Sequence, residues 1–380
     1  MIFEKSVKII AASAKRLGVE VSHLLQAAEW SSNYLENFEA AARDELKSRR
    51  GVREVTNENI DVIVFGSFAR GEASEGESDF DHVFVVYGEI QDPADIIDVR
   101  TATREAQRRM TASEAGKYTG FGSVVSSLDL VNLIGLEDDT NRNHTNRILL
   151  LAESRSLLNS EARKKLMRTV LTRYLYDYLH GGKNRGPHDS PKRGVPRFLL
   201  NDVNRFWNTM AVDYQGKRWV EFEDKPELKW GMRYLKLRST RKLMYFGTAF
   251  SLLLLAIRHE APSVDFLAEQ FDMTPMARLA QLEQYLEDQA SREHLKAILG
   301  HADYFCDRFA QADVRDDASK VLDPADNLAP PSFREIRTRT CELHEALTGL
   351  LSSDAPLNKV MLEGGKPLTL RYLRDRYLLF

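Results

Sequence analysis

Two short apolar runs and the polar turn between them constrain the fold of this chain more than any other part of its sequence. Residues 61–65 (DVIVF) form a β-branched run that ends at Gly66, and Ser67 follows directly. After a loop rich in glycine, glutamate and serine, residues 80–87 (FDHVFVVY) form a second apolar run. Runs of this length and composition predict buried β-strands. We therefore expect a small sheet with a Gly-Ser turn at the end of one strand.

A pair of aspartates lies at the start of the second predicted strand. Eleven residues separate Ser67 from Asp79, and Asp81 follows after one apolar residue. Because side chains alternate along a strand, we expect Asp79 and Asp81 to share one face. Phe80 and His82 are then expected on the other face. Two neighbouring carboxylates repel each other and need a cation, and Mg²⁺ is commonly held by one or two carboxylates together with substrate phosphates.

The Gly-Ser turn complements these two acids chemically. Gly66 allows backbone N–H groups to approach a phosphate closely, and the Ser67 hydroxyl can donate a further hydrogen bond. With Asp79 and Asp81 as metal ligands, the site would hold a metal-bound triphosphate, which permits in-line displacement at phosphorus. Taken alone, an Asp-x-Asp at a strand start is more often a solvated edge or a turn cap. The full order of strand, Gly-Ser, Asp-x-Asp and strand is much rarer, and it favours the functional interpretation.

This order of motifs resembles the active-site signature of the nucleotidyltransferase superfamily that includes DNA polymerase beta. The match covers Gly66, Ser67, Asp79 and Asp81. Residues 67–71 (SFARG) are similar to the small bacterial-type members, and Arg70 is expected to assist in binding the nucleotide. The resemblance implies transfer of a nucleoside monophosphate from an NTP or dNTP, with Mg²⁺ or Mn²⁺ and release of pyrophosphate. It also implies a mixed sheet flanked by helices.

A weaker resemblance extends further along the chain. Residues 122–129 (GSVVSSLD) and 149–155 (LLLAESR) are similar to the uridylyltransferase-like group that modifies the PII signalling protein, so that the matches together cover about residues 55–160. Many superfamily members carry a third catalytic carboxylate on a later strand. Asp129 is the nearest candidate here, and Asp138 or Asp139 are further candidates on a loop. The alternative is that Asp129 is an acid in the first turn of a helix, where the helix dipole favours negative charge.

The rest of the chain has helical periodicity. The predicted fold is α+β, with a small mixed β-sheet nucleotidyltransferase core, a helical N-terminal segment and a large α-helical C-terminal domain. A third strand is expected within residues 120–126, and helices are expected over residues 1–50, 93–110, 146–158 and 161–179. The expected boundaries are 1–54 for the N-terminal segment, 55–165 for the catalytic core, 166–320 for the helical domain and 321–380 for the C-terminal segment and tail.

Composition limits the kinds of partner, covalent cross-link and cellular compartment that we expect for this protein. The 380 residues carry a formal net charge of -3, which excludes a global basic field that would attract nucleic acid. The two cysteines, Cys306 and Cys341, are too few for a disulfide framework or a four-cysteine zinc site. The N-terminus lacks the apolar core of a signal peptide, and the most apolar run, residues 243–257, is too short to span a bilayer. We expect that run to be a buried helix, and we expect a cytoplasmic protein without membrane contact.

A second informative stretch is basic. Residues 229–242 (KWGMRYLKLRSTRK) contain six cations and no acid. On a regular helix, one face carries Lys229, Arg233 and Lys236, and the opposite side carries Arg238, Arg241 and Lys242. A run of one sign beside aromatic residues indicates an anion site, so the first face is expected to contact the triphosphate or the phosphates of an acceptor. The alternative is a basic surface helix that leads into the buried run.

Three classes of acceptor are compatible with this sequence. A nucleotide or a nucleic-acid end is favoured, because the cationic residues 183–197 and 229–242 suit a polyanion. The products would be templateless oligonucleotides or signals like those of the defence-signalling members of the superfamily, with a role in anti-phage defence. The second class is a protein hydroxyl, as in the PII-modifying group. In the third class the chain transfers nothing and is a nucleotide-binding regulatory module.

Overall fold

A computed structural model describes residues 3–50, 59–74, 78–89, 92–110, 121–175, 195–224, 229–258, 263–357, 360–362 and 365–378. The chain divides into two compact units. The first unit comprises Met1–Glu4, Gln26–His188 and Ser263–Thr274, and the second comprises Lys5–Leu25, Asp189–Pro262 and Pro275–Phe380. Each unit is thus assembled from segments that are separate in sequence. The four-part division expected from the sequence stays a prediction.

Helices account for most of the secondary structure in the described residues. In chain order they are α1 (Glu4–Leu17), α2 (Ser22–Arg50), α3 (Gly66–Arg70), α4 (Ala94–Arg109), α5 (Ser127–Asn132), α6 (Asn141–Glu153), α7 (Ser160–Leu175), α8 (Arg197–Asp224), α9 (Trp230–Lys236), α10 (Lys242–Arg258), α11 (Val264–Phe271), α12 (Pro275–Ala280), α13 (Gln289–Ala310), α14 (Ala312–Lys320), α15 (Pro331–Leu351) and α16 (Leu370–Leu373). Two π-helical segments, Leu237–Arg241 and Arg374–Leu378, and a 3₁₀ segment, Gln281–Tyr285, complete the set.

The first unit contains a four-stranded mixed sheet. Its strands are β1 (Ile60–Val64), β2 (His82–Val86), β3 (Val124–Ser126) and β4 (Arg155–Ser156), in the order β3-β2-β1-β4. Strand β1 pairs antiparallel with β2 and with β4, whereas β2 and β3 are parallel. All residues of β1 and β2 are buried, as the two β-branched runs predict. The predicted α+β fold with a small mixed sheet is confirmed.

Strand β4 was not predicted, and it corrects one helix boundary. The sequence indicates a helix over residues 146–158, but α6 ends at Glu153 and the chain then becomes extended at Ser154. The extended residues pair with β1, where Val64 lies opposite Arg155. Two residues are too few to show the alternation of apolar and polar residues that marks a strand, so β4 has no local sequence signal. Its extended conformation is stabilised by the pairing with β1.

The second unit is helical and has its own core. Helix α10 contains the expected buried run, in which Leu252, Leu254 and Leu255 are fully buried. A second cluster includes Leu235 of α9 and Phe333 of α15. None of the helices in the described part of the chain is long and apolar enough to cross a membrane. Most of the cationic segment 183–197 lies outside the described residues.

Candidate active site

The antiparallel pairing of β1 with β2 brings the Gly-Ser turn to the two aspartates. Val64, the last residue of β1, lies opposite His82, the first residue of β2. One residue beyond this pair, the Phe65 N–H donates to the carbonyl oxygen of Asp81 at 2.8 Å. Because an antiparallel pair places the end of one strand beside the start of the other, motifs eleven residues apart in sequence meet at one edge of the sheet.

The backbone of Gly66 adopts a conformation that favours glycine and lies against a carboxylate. Its φ is 73°, in the left-handed region, and a Cβ at this position would lie 3.1 Å from Asp81 Oδ2. Ser67 follows in the first turn of α3 and is half-buried. Its hydroxyl makes no hydrogen bond to any residue that the structure describes, and so it is available to a ligand.

The side chains around Phe80 alternate as the sequence predicts. Phe80 is fully buried and stacks on Phe38 of α2, with ring centroids 4.2 Å apart. Its ring also contacts the ring of His82 on the same side of the strand, with centroids 5.5 Å apart. Asp79 is exposed and Asp81 is half-buried. The buried aromatic ring therefore anchors the segment that carries both carboxylates, and Asp79 has no cationic partner in the described part of the chain.

A buried ion-pair network lies directly behind the Gly-Ser turn. The Arg70 guanidinium donates from Nε to Glu72 Oε2 at 2.7 Å and from Nη1 to Glu153 Oε2 at 2.5 Å. The other oxygen of Glu153, Oε1, accepts the N–H of Gly66 at 3.1 Å. Burial lowers the pKa of Arg70, but the two carboxylates outweigh this effect and hold the pKa above its ordinary value. Burial raises the pKa of Glu72, and Arg70 opposes that rise.

This network changes the environment that the sequence implies for Arg70. The side chain is 9% exposed and two carboxylates already bind it. Its expected role in binding the nucleotide stays a prediction, and in the structure it ties the Gly-Ser turn to α6. Sequence reasoning assigned no role to Glu72 or Glu153. Glu153 lies in the segment 149–155 that carries the weaker resemblance, and this was the one available signal.

The structure does not bring Asp129 to the two aspartates. Strands β2 and β3 are parallel with Val86 opposite Ser126, so Asp129, in the first turn of α5, follows the far end of this pair. Val86 lies five positions after Asp81, which corresponds to about 17 Å of strand. Asp129 is exposed, as an acid in a first helical turn commonly is. Its catalytic role stays a prediction that this placement does not support.

The basic residues expected to support the phosphates lie in the second unit. Lys229 precedes α9, is exposed and has a φ of 32°, so it does not continue the helix. The Arg233 guanidinium lies 5.4 Å from the ring centre of the fully buried Trp230, and Lys236 ends α9. Contacts of Lys229, Arg233 and Lys236 with a triphosphate stay predictions.

The oxygen donors at the Gly-Ser turn suit a hard divalent cation. Asp81 lies beside the turn, and Asp79 precedes Asp81 by two residues. Mg²⁺ typically uses one or two protein carboxylates and completes its shell with phosphates and water. In the described residues, no group of three or more histidine, cysteine, aspartate or glutamate side chains is arranged to hold a metal by itself.

Comparison with known proteins agrees with this geometry. Residues 42–133 match the family model described as a nucleotidyltransferase domain, a segment that includes the Gly-Ser turn and both aspartates. This match confirms the resemblance to the polymerase beta-like superfamily and indicates a transferase that uses a nucleoside triphosphate. No curated protein and no solved structure matches the chain. The closer resemblance to the PII-modifying group stays a prediction.

Proposed function

We propose that this chain is a metal-dependent nucleotidyltransferase that moves a nucleoside monophosphate from an NTP or dNTP to a hydroxyl acceptor and releases pyrophosphate. The observation that carries the proposal is the contact between the Gly66 backbone and the Asp81 carboxylate at the edge of the sheet. In this proposal the turn binds the phosphates and the neighbouring carboxylate binds the metal. The nucleotidyltransferase domain match over residues 42–133 supports the reaction class.

Each residue of the site has a defined part in this reaction. Ser67, whose hydroxyl has no partner within the described residues, donates a hydrogen bond to a phosphate oxygen. Asp79 and Asp81 hold Mg²⁺ or Mn²⁺. A bound divalent ion neutralises the triphosphate and the leaving pyrophosphate and activates the attacking oxygen. Glu153 accepts the Gly66 N–H and thereby fixes the direction of the turn, which keeps the phosphate close to the aspartates.

The favoured acceptor is a nucleotide or a nucleic-acid end. The support is electrostatic: residues 229–242 carry six cations and no acid in a chain whose net charge is slightly negative. A local basic run of this kind suits the phosphates of a polyanion. A role in anti-phage defence rests on the resemblance to defence-signalling enzymes alone, and it is part of this proposal only on that basis.

The experiment that tests the function resolves the products. The purified chain is incubated with each α-labelled NTP and dNTP, once with Mg²⁺ and once with Mn²⁺, and the products are separated on nucleic-acid and protein gels. We expect a labelled oligonucleotide that disappears in the Asp79→Asn/Asp81→Asn double variant. The matched control is Asp44→Asn, which removes an exposed aspartate of α2.

The other outcomes have distinct meanings. Label on a polypeptide, again lost in the double variant, would replace the proposed acceptor with a protein hydroxyl and keep the reaction class. Transfer that survives intact in the double variant would contradict the assignment of the aspartates. Tight nucleotide binding without pyrophosphate release, with any acceptor supplied, would identify a regulatory module and contradict nucleotidyl transfer.

A further inference from the structure

The basic run of the second unit does not form the regular helix that its sequence indicates. Helix α9 ends at Lys236, residues Leu237–Arg241 are π-helical, and α10 begins at Lys242. The π-helical segment shifts the side chains that follow, so neighbouring cations have different surroundings: Arg241 is exposed, whereas Lys242 is 9% exposed. π-helical turns are rare in proteins, and those that do occur often lie at functional sites. The residues around this segment are therefore candidates for a binding site.

Three cationic or titratable side chains converge beside the π-helical segment. Arg238 donates from Nη2 to the Sγ of Cys341 on α15 at 3.4 Å. Its guanidinium also lies over the ring of Tyr234, 5.2 Å from the centroid, and hydrogen-bonds the Tyr234 hydroxyl. Lys242 follows Arg238 by four positions across the π-helical segment, and His344 follows Cys341 by three positions on α15. The charge of Arg238 acts on Lys242, and the charges of both act on His344. We call Arg238, Lys242 and His344 the basic cluster.

The two fixed charges of the basic cluster are not balanced by a carboxylate in the part of the chain that the structure describes. Among the described residues, neither Arg238 nor Lys242 forms an ion pair. Burial, together with the charge of Arg238, lowers the pKa of Lys242 to about 8, and Cys341 partly opposes this decrease. Burial, Lys242 and Arg238 also lower the pKa of His344, while Glu345 raises it. A buried ammonium beside a guanidinium and without a counter-ion is unfavourable, and an anionic ligand would remove that cost.

The surroundings of the basic cluster strengthen this conclusion. Ser239 of the π-helical segment contacts Nε2 of the buried His301 on α13 at 3.0 Å. Burial lowers the pKa of His301 to about 4, and the charges of Arg339 and Lys242 contribute to the decrease. On α15, Glu342 is paired with Arg339 at 3.0 Å. Glu342 is therefore engaged by Arg339, and Glu345 is the acid of α15 that acts on His344.

We propose that Arg238, Lys242 and His344 form a binding site for a phosphate monoester, supplied either as inorganic phosphate or as the 5′-phosphate of a nucleotide. The guanidinium offers a planar fork that matches phosphate geometry, the ammonium adds a second positive charge, and the imidazole adds a further donor. Two cations match the charge of a phosphate dianion better than that of a carboxylate. The exposed Cys341 thiol lies at the rim of this site and is in contact with Arg238.

This site is additional to the proposed nucleotidyl transfer. All of its residues belong to the second unit, and none of them is assigned to the metal or to the phosphates at the Gly-Ser turn. Arg238 and Lys242 are two of the six cations of the run 229–242, and the phosphate site gives these two a specific ligand. The site also differs from the face expected from the sequence, which consists of Lys229, Arg233 and Lys236. Phosphate binding at the basic cluster can therefore be measured whether or not the chain transfers nucleotides.

The test uses Cys341 as a reporter in the full chain. The rate of its alkylation by iodoacetamide is followed by mass spectrometry, with the half-buried Cys306 as the internal control. We expect inorganic phosphate and 5′-AMP to slow alkylation of Cys341 at least about threefold, because access and local charge set thiol reactivity. Adenosine and sodium chloride of equal ionic strength are expected to have no such effect. Stronger protection by phosphate or by AMP then identifies the source of the ligand.

Variants separate the basic cluster from other anion sites. Arg238→Gln and Lys242→Met are expected to abolish the protection, whereas the neighbouring control Arg241→Gln is expected to retain it. Loss of binding in Lys242→Met is not caused by unfolding, because removal of a buried, unpaired ammonium should leave the melting temperature unchanged or higher. No protection in the unaltered chain, protection that persists in Lys242→Met, or equal protection by adenosine would each overturn the proposal.

A last comparison separates this proposal from the proposed function. The Asp79→Asn/Asp81→Asn double variant should keep full protection of Cys341 by phosphate, because its basic cluster is intact. A chain that shows protection and no transfer would support the phosphate site and count against the enzyme. If the protection disappears in the double variant, the phosphate is bound by the aspartate site through its metal, and the assignment to the basic cluster is wrong.

Discussion

A Cβ atom at Gly66 would lie 3.1 Å from Oδ2 of Asp81, so the turn after β1 and the acid before β2 are in direct contact. Two consequences follow for the site. The turn can lie this close to the Asp81 carboxylate only because Gly66 has no side chain. Glycine also adopts the φ of 73° at this position without strain. Any substitution of Gly66 therefore affects the aspartate and the backbone together.

The first prediction concerns Gly66→Ala. We expect it to lower the free energy of unfolding by about 1–2 kcal/mol, because of its left-handed backbone, and to reduce nucleotide transfer by about 10²-fold, because it displaces the Asp81 carboxylate. Gly88→Ala is the matched control: Gly88 has a φ of 77°, but a Cβ there meets nothing within 4 Å. Urea unfolding and an initial-rate assay measure the two effects. Equal activity of the two alanine variants would contradict the proposed contact.

The second prediction concerns the buried network behind the turn. In Arg70→Met the carboxylates of Glu72 and Glu153 lose their shared cation, and we expect unfolding free energy to fall by about 3–5 kcal/mol near pH 7. Burial already raises the pKa of Glu72, and Glu153 adds to that rise. A carboxyl with a higher pKa in the folded state gains a proton on folding, so stability increases as the pH falls.

The loss caused by Arg70→Met should therefore be smaller near pH 5 than near pH 7. Urea unfolding at the two pH values measures it. Lys164→Met serves as the control, because Lys164 forms an exposed pair with Glu161 and its removal should cost less than about 1 kcal/mol at either pH. A loss for Arg70→Met that is small, or that grows as the pH falls, would show that the network is not a coupled buried unit.

The third prediction separates Asp129 from the two aspartates of the Gly-Ser site. Asp129 lies beyond the far end of the β2–β3 pair, so Asp129→Asn should retain transfer at close to the original rate. It should lose at most about 1 kcal/mol of stability, through a weaker interaction with the N-terminus of α5. Rate assays of Asp129→Asn and Asp81→Asn side by side decide the matter. A loss in Asp129→Asn as large as that in Asp81→Asn would restore it as the third catalytic carboxylate.

The fourth prediction is a pH dependence within the second unit. His23 contacts Asp303 at 3.0 Å, and this hydrogen bond raises the pKa of His23 despite partial burial. Because the folded pKa is above the unfolded value, the pair stabilises the fold fully at low pH and loses its effect as the pH rises through the folded pKa. His23→Gln should therefore cost under about 1 kcal/mol near pH 5.5 and almost nothing near pH 8.5. A cost that is independent of pH in urea unfolding would exclude this titration.

The parts of the fold that carry local signals could be predicted from the sequence. The β-branched runs before Gly66 and after Asp81 identify β1 and β2. A polar loop connects these two strands, and their antiparallel pairing brings the Gly-Ser turn and the aspartates together. The buried helix α10 was equally visible as an apolar run. Strand β4 was missed because two residues show no periodicity, and its extended conformation depends on pairing with β1.

The parts of the site that depend on distant contacts could not be predicted. Arg70 and Glu153 are 83 residues apart in sequence, and a charge in the sequence does not say which opposite charge it meets. Arg70 was therefore assigned to the nucleotide, while the structure shows it on two carboxylates. The π-helical segment Leu237–Arg241 was missed for a similar reason, since its backbone is set by packing and its composition is that of a regular helix.

The central claim is that Asp79 and Asp81 bind a divalent metal together with a nucleoside triphosphate, and binding of Mn²⁺ tests it without knowledge of the acceptor. Bound Mn²⁺ is measured by electron paramagnetic resonance with and without a non-hydrolysable NTP analogue. We predict nucleotide-dependent Mn²⁺ binding by the unaltered chain and by the control Asp44→Asn. We predict its loss in Asp79→Asn/Asp81→Asn, with an unchanged melting temperature. Equal nucleotide-dependent binding of Mn²⁺ by the double variant would contradict the claim.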